Sequence, residues 1–141
     1  MNKTCSALDK LFEFNKITIA LNKVIERNSW DQEAIMPSGA LVDRAEEQAC
    51  LMVIAHKRQT SNEFSDLLNS INIENLSKNE SRQISLMKKE LKRALSVPND
   101  LIGALAKHTT LAHSVWVEAR KNNDFQRFLP QFSKVLELRK E

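Results

Sequence analysis

Few side chains in this 141-residue chain are equipped for chemistry, and their spacing decides what they could do. The histidines are His56, His108 and His113. A catalytic zinc site on a helix is signalled by two histidines four residues apart with a glutamate between them. One helical turn then aims both imidazoles at a single ion and leaves the carboxylate to activate water. That HExxH pattern occurs nowhere in the chain. His108 and His113 are five residues apart, a rotation of about 140° around a helix, so their rings diverge. His56 borders an apolar helical stripe and is expected to be a hydrogen-bonded structural histidine.

The remaining candidates point the same way. Asp31 and Glu33 are close in sequence, but with no histidine beside them they read as caps and ion-pair partners rather than an acid/base pair. Gly39 and Gly103 are too far apart to form a phosphate-cradling loop. Cys5 and Cys50 lack CxxC spacing and read as ordinary thiols of a reducing compartment. Lys88, Lys89, Lys92 and Arg93 form the densest basic cluster. Glu90 dilutes it and no aromatic residue interleaves it, so it reads as a solvated helix flank and nucleic-acid binding is not expected. Trp30 and Trp116 lie beside apolar helix positions and are expected to supply core area. Residue chemistry therefore assigns no catalytic, cofactor-binding or metal-ligating side chain.

The elements that would position these groups are helices. Two glycines and no tyrosine leave little material for hairpins, and 42% hydrophobic against 28% charged residues suits a folded, water-soluble chain. No apolar run approaches the length of a membrane span. The start of the chain has one lysine and no apolar block after it, so a cytoplasmic location is expected. Net charge is +3, divided as −2 over residues 1–70 and +5 over residues 71–141.

Apolar positions at three- and four-residue steps predict an amphipathic helix over residues 6–28, followed by a turn carrying Trp30 and ending at Met36-Pro37. Ser38 is expected to cap a second helix running to about residue 58. Ser61 or Asn62 starts a short third helix, and a fourth covers residues 79–95. Pro98 ends that pattern and opens a long fifth helix reaching residue 121. Asp124 can cap a single turn at residues 125–128, and Pro130 is expected to begin a separate last helix. The whole reads as one all-α domain over residues 1–141, about six helices in antiparallel hairpin and bundle packing. The closing stretch Val135-Leu136-Glu137-Leu138-Arg139-Lys140-Glu141 runs in helical pattern without a C-cap glycine, as if cut within a helix.

Ordered motifs add a resemblance. Trp30-Asp31-Gln32-Glu33 with Met36-Pro37, then Gly39 and Arg44-Ala45-Glu46, resemble the N-terminal signature of the thermostable metallocarboxypeptidase family typified by carboxypeptidase Taq. Val97-Pro98 with Leu101, Trp116 with Ala119-Arg120, Asp124-Phe125 with Phe128 and Pro130, and Val135-Leu136-Glu137-Leu138-Arg139 follow in the family's order. The resemblance covers residues 8–141. It implies a mostly helical, dimeric enzyme that removes C-terminal amino acids from peptides, using zinc or cobalt bound by an HExxH helix and a downstream glutamate. None of those ligands lies in this chain, so the segment is expected to be inactive alone and to form a helical wall of the substrate groove. In that setting Trp30 anchors the turn between the first two helices and Arg44 pairs with Asp31 and Glu33. Partners expected from the exposed faces are a second copy or the missing catalytic portion. The alternatives are a stand-alone helical interaction module or one half of a split enzyme.

Overall fold

A computed structural model describes residues 6–140, which puts Cys5 outside the described residues. Six α-helices account for most of them: α1 (Ala7–Ala34), α2 (Leu41–Gln59), α3 (Asn62–Asn69), α4 (Lys78–Ala94), α5 (Asn99–Lys121) and α6 (Phe125–Leu138). Short 3-10 turns at Ser38–Ala40 and Ile73–Asn75 lie between them, and no strand occurs among the described residues. The all-α expectation holds.

The helices are bounded by local chemistry. Ser6 caps α1 and Ser77 caps α4, each in a reciprocal capping box with an acid three residues on, Asp9 and Glu80. Ser61 caps α3 through the Phe64 amide. The α5–α6 junction is tighter. Asn123 adopts a left-handed backbone (φ 51°), its N–H bonds to the Arg120 carbonyl, and the Asp124 N–H reaches the Ala119 carbonyl at 2.8 Å. Those two bonds make a Schellman stop. Asp124 then accepts from the Arg127 amide, so one residue closes α5 and opens α6.

Several expectations fail on inspection. Helix α1 does not stop near residue 28: nothing before Pro37 breaks it, and the Ile35 and Met36 amides both bond to the Asp31 carbonyl at its end. Trp30 is therefore a helical residue, 65% exposed, and neither anchors a turn nor fills the core; Trp116 is also exposed. Ser38 makes no capping bond, because a 3-10 turn precedes α2. Helix α6 runs unbroken through Pro130, since Phe125, Phe128 and Phe132 hold it with ring centroids 5.9–6.4 Å apart. Packing here overrides the missing N–H.

The helices pair antiparallel in sequence. Contacts at the two ends of α2 fix its direction against α1: Arg44 meets Asp31 and Arg58 meets Phe14. Against α5, His56 meets Val97 and Glu46 meets Lys107. The α2–α5 contact is close, because a methyl group placed on Gly103 would lie 3.1 Å from Val53 Cγ2, and buried Ala45, Ala55 and Ala112 keep both helices slim. The largest apolar core lies elsewhere, where the N-terminal half of α1 meets α3 and α4 around Leu11, Phe14, Phe64, Leu68, Ile84 and Leu91. Phe14 stacks on Phe64 with centroids 5.4 Å apart, and the Arg58 guanidinium lies 3.9 Å over the Phe14 ring.

Two outcomes follow. In urea unfolding, Leu11→Ala is expected to cost about 2–5 kcal/mol, the range for emptying a buried site. Trp30→Ala is expected to cost less than about 1 kcal/mol, as surface changes do. Hydrogen bonds from the Ser77 hydroxyl and amide hold the Glu80 carboxyl below the usual glutamate range. Because that carboxyl is depressed in the folded state, its contribution is present above the unfolded pKa and lost as pH falls through the folded one. An NMR titration should place the Glu80 midpoint below that of exposed glutamates, and Ser77→Ala should move it back up.

Candidate functional site

Helices α1, α2 and α5 meet at a polar junction that uses most of the chain's chemically equipped side chains. Arg44, on the first turn of α2, has a side chain only 14% exposed. Its Nη1 donates to the Asn28 carbonyl at 2.6 Å, its Nη2 to Asp31 Oδ2 at 2.5 Å, and its Nε to Glu47 Oε2 at 3.1 Å. A planar guanidinium can serve three acceptors in fixed directions, which an ammonium cannot. The expected Arg44–Asp31 pair is thus present.

Glu33 goes elsewhere. Its Oε1 lies 3.3 Å from His113 Nε2 on α5, and the His113 ring packs against Trp116 with centroids 5.6 Å apart. Two residues turn the side-chain direction by about 200° around α1, so Asp31 faces α2 while Glu33 reaches α5. Beside them Gln48 donates from Nε2 to Ser29 Oγ at 2.9 Å, and the Ser29 hydroxyl donates in turn to the Ile25 carbonyl at 3.1 Å. Gln48 Oε1 is buried and has no hydrogen-bond partner among the described residues. These groups border a cleft of about 300 Å³ lined by Ile25, Ser29, Gln48, Met52, Thr110 and His113.

The junction joins helices and supplies few reactive groups. His56 donates from Nε2 to the Val97 carbonyl at 2.9 Å and is buried, the structural role expected of it. Zinc or cobalt, which the motif resemblance implies, does not fit the donors present. Glu33 and His113 face each other, and among the described residues no three His, Cys, Asp or Glu side chains are grouped to hold an ion. Cys50 is a free, exposed thiol, and Lys89, Lys92 and Arg93 lie on the solvent side of α4, opposite buried Ile84 and Leu91. No described helix is long and apolar enough to cross a membrane.

Residues 10–141 match the family model for carboxypeptidase Taq (M32) metallopeptidase. This chain belongs to the M32 metallopeptidase family. Among its relatives, thermostable carboxypeptidase 1 of Pyrococcus furiosus is 30% identical over 79% of this chain and 22% of its own length. Thermostable carboxypeptidase 1 of Thermus thermophilus is 27% identical over 96% of this chain and 28% of its own. The crystal structure of the M32 carboxypeptidase from Deinococcus radiodurans R1 superposes with a TM-score of 0.69 at 28% identity, covering 94% of this chain and 27% of that one. The chain therefore spans about a quarter of the length of the M32 relatives it matches, and its helices follow the M32 fold.

Sequence reasoning placed Arg44 with Asp31 but missed Gln48 and Arg58. A glutamine among Glu46, Glu47 and Gln48 carries no signal of burial, and a cation in the last turn of a helix reads as a dipole complement. Gln48→Met, close in shape, exchanges one hydrogen bond for relief of an unmatched acceptor and is expected to change unfolding free energy by less than about 1 kcal/mol. Gln48→Glu puts a carboxylate in the same place and should cost about 2 kcal/mol or more at pH 7. Chemical denaturation of both variants checks the pair.

Proposed function

We propose that this chain is the N-terminal helical region of a metal-dependent carboxypeptidase, one that removes C-terminal amino acids from peptides. Its role in that enzyme is a helical wall of the substrate groove. The supporting observation is one of coverage: residues 10–141 match the M32 model, while the same stretch accounts for only 22–28% of the curated relatives. The names of those relatives supply the reaction class. In this reading the metal, which polarises the scissile carbonyl and activates water when bound, is held by groups outside these 141 residues. The chain contributes shape, with the Arg44–Asp31 and Glu33–His113 contacts setting the relative placement of α1, α2 and α5.

The exposed apolar positions of α6 support a second reading, a helical interaction module or one half of a split enzyme that meets its counterpart as a separate polypeptide. The two readings part in one experiment. The purified chain with added zinc or cobalt is expected to leave a blocked dipeptide intact. In the second arm, this chain replaces the matched segment of the Thermus thermophilus carboxypeptidase. The groove-wall reading predicts metal-dependent release of the C-terminal residue by the chimera. Hydrolysis by the isolated chain, or a cooperatively folded chimera without activity, contradicts it.

A further inference from the structure

Helix α6 carries two adjoining apolar faces, and one of them is only partly covered. Phe128, Val135 and Leu138 turn toward the rest of the protein, and Leu138 is buried. Phe125, Leu129, Phe132 and Leu136 form a second stripe and are 56%, 38%, 39% and 42% exposed. Their spacing of four, three and four residues is that of a coiled-coil seam, which keeps one face turned toward a helical partner. Two apolar hollows of about 250 Å³ each, one lined by Phe125 and the other by Phe132, share Trp116 and Phe128, so they adjoin as a trough between α5 and α6. A ridge of side chains on a third helix fits such a trough.

Charge narrows the occupant. Arg120 lines the hollow at Phe125, and Arg139 and Lys140 follow just past Leu136, whereas Arg127 and Lys134 lie about half a turn away on the far side of α6, where Lys134 pairs with Glu137. Among the described residues, the side chains that border the stripe therefore leave a cationic surplus. A second copy seated on the same face would bring two such surpluses together, which opposes association. An acid-flanked helix would meet them with the opposite sign. The M32 structure that this chain matches over 27% of its length has nearly three-quarters of its polypeptide beyond the match, enough to supply that helix.

We propose that the Phe125–Leu129–Phe132–Leu136 stripe and the trough beside it form the seat for an amphipathic, acid-flanked helix from the part of the M32 fold outside this chain. The inference rests on the M32 reading and names the face that reading needs.

The test uses Leu136→Cys in a Cys5→Ser/Cys50→Ser background, labelled with a maleimide both in this chain alone and in the Thermus chimera. Rapid labelling of the chain alone and at least tenfold slower labelling in the chimera supports the seat. Equal rates in a chimera that melts cooperatively and hydrolyses dipeptide overturn the seat and leave the M32 reading standing. A chimera that does not melt cooperatively counts against both. Leu136→Glu in the chain alone provides the second measurement, at a stripe position outside the phenylalanine cluster. An unchanged melting temperature and a monomer by sedimentation are expected for both Leu136→Glu and the parent chain. A large drop in melting temperature would mean the stripe is internal core, and a parent dimer abolished by Leu136→Glu would mean that a second copy is the occupant; either result overturns the proposal.

Discussion

Two arginines on α2 reach two carbonyls on α1 at matched spacing, and the rest of the fold depends on that register. Arg44 donates to the Asn28 carbonyl and Arg58 to the Phe14 carbonyl. Fourteen residues separate the arginines and fourteen separate the carbonyls, which is close to four helical turns, or about 21 Å, on each antiparallel helix. A shift of one turn would take from both guanidinium groups their acceptors on α1 while they stay half-buried against that helix. Losing those acceptors costs more than losing a fully exposed contact, so the pair favours a single register. Arg58 also donates from Nε to Thr18 Oγ1 and covers the Phe14 ring, joining the polar staple to the apolar core at the far end of α1.

With α2 fixed on α1, its opposite face is free to meet α5, and residue size governs how near that helix comes. Gly103 lets the α5 backbone approach Val53, and His56 draws in the Val97 carbonyl just ahead of α5. From there the Schellman stop at Asn123 and Asp124 reverses the chain and lays α6 along α5. Stability is uneven along this path. The core of Leu11, Phe64, Leu68 and Ile84 is buried, whereas α6 packs mainly against α5 and leaves Phe125, Leu129, Phe132 and Leu136 exposed.

Much of this was legible in the residues. Helices α3, α4 and α5 lie close to where periodicity, Ser61, Pro98 and the Asn-Asn-Asp break place them, and the motif order resembles the carboxypeptidase Taq family to which the chain belongs. The misses share a cause. Trp30, Ser38 and Pro130 were read by local rules, a large aromatic as core, a serine as cap and a proline as breaker, and each was overruled by a neighbour in space. Trp30 fell on the outward face of a helix that nothing interrupted, and Pro130 was held by the phenylalanines around it. The split of Asp31 and Glu33 between α2 and α5 was also invisible, because it depends on where α5 sits rather than on which residues adjoin them.

The register claim is tested most directly by urea unfolding of Arg44→Met, Arg58→Met and the double variant. Each single change is expected to cost about 1.5–3 kcal/mol, the range for hydrogen bonds to a charged group. The two sites are about 21 Å apart, so the double variant should show the sum of the single losses to within about 0.5 kcal/mol. Two near-neutral single variants would contradict the account, because the antiparallel pairing of α1 and α2 would then be fixed by apolar packing alone.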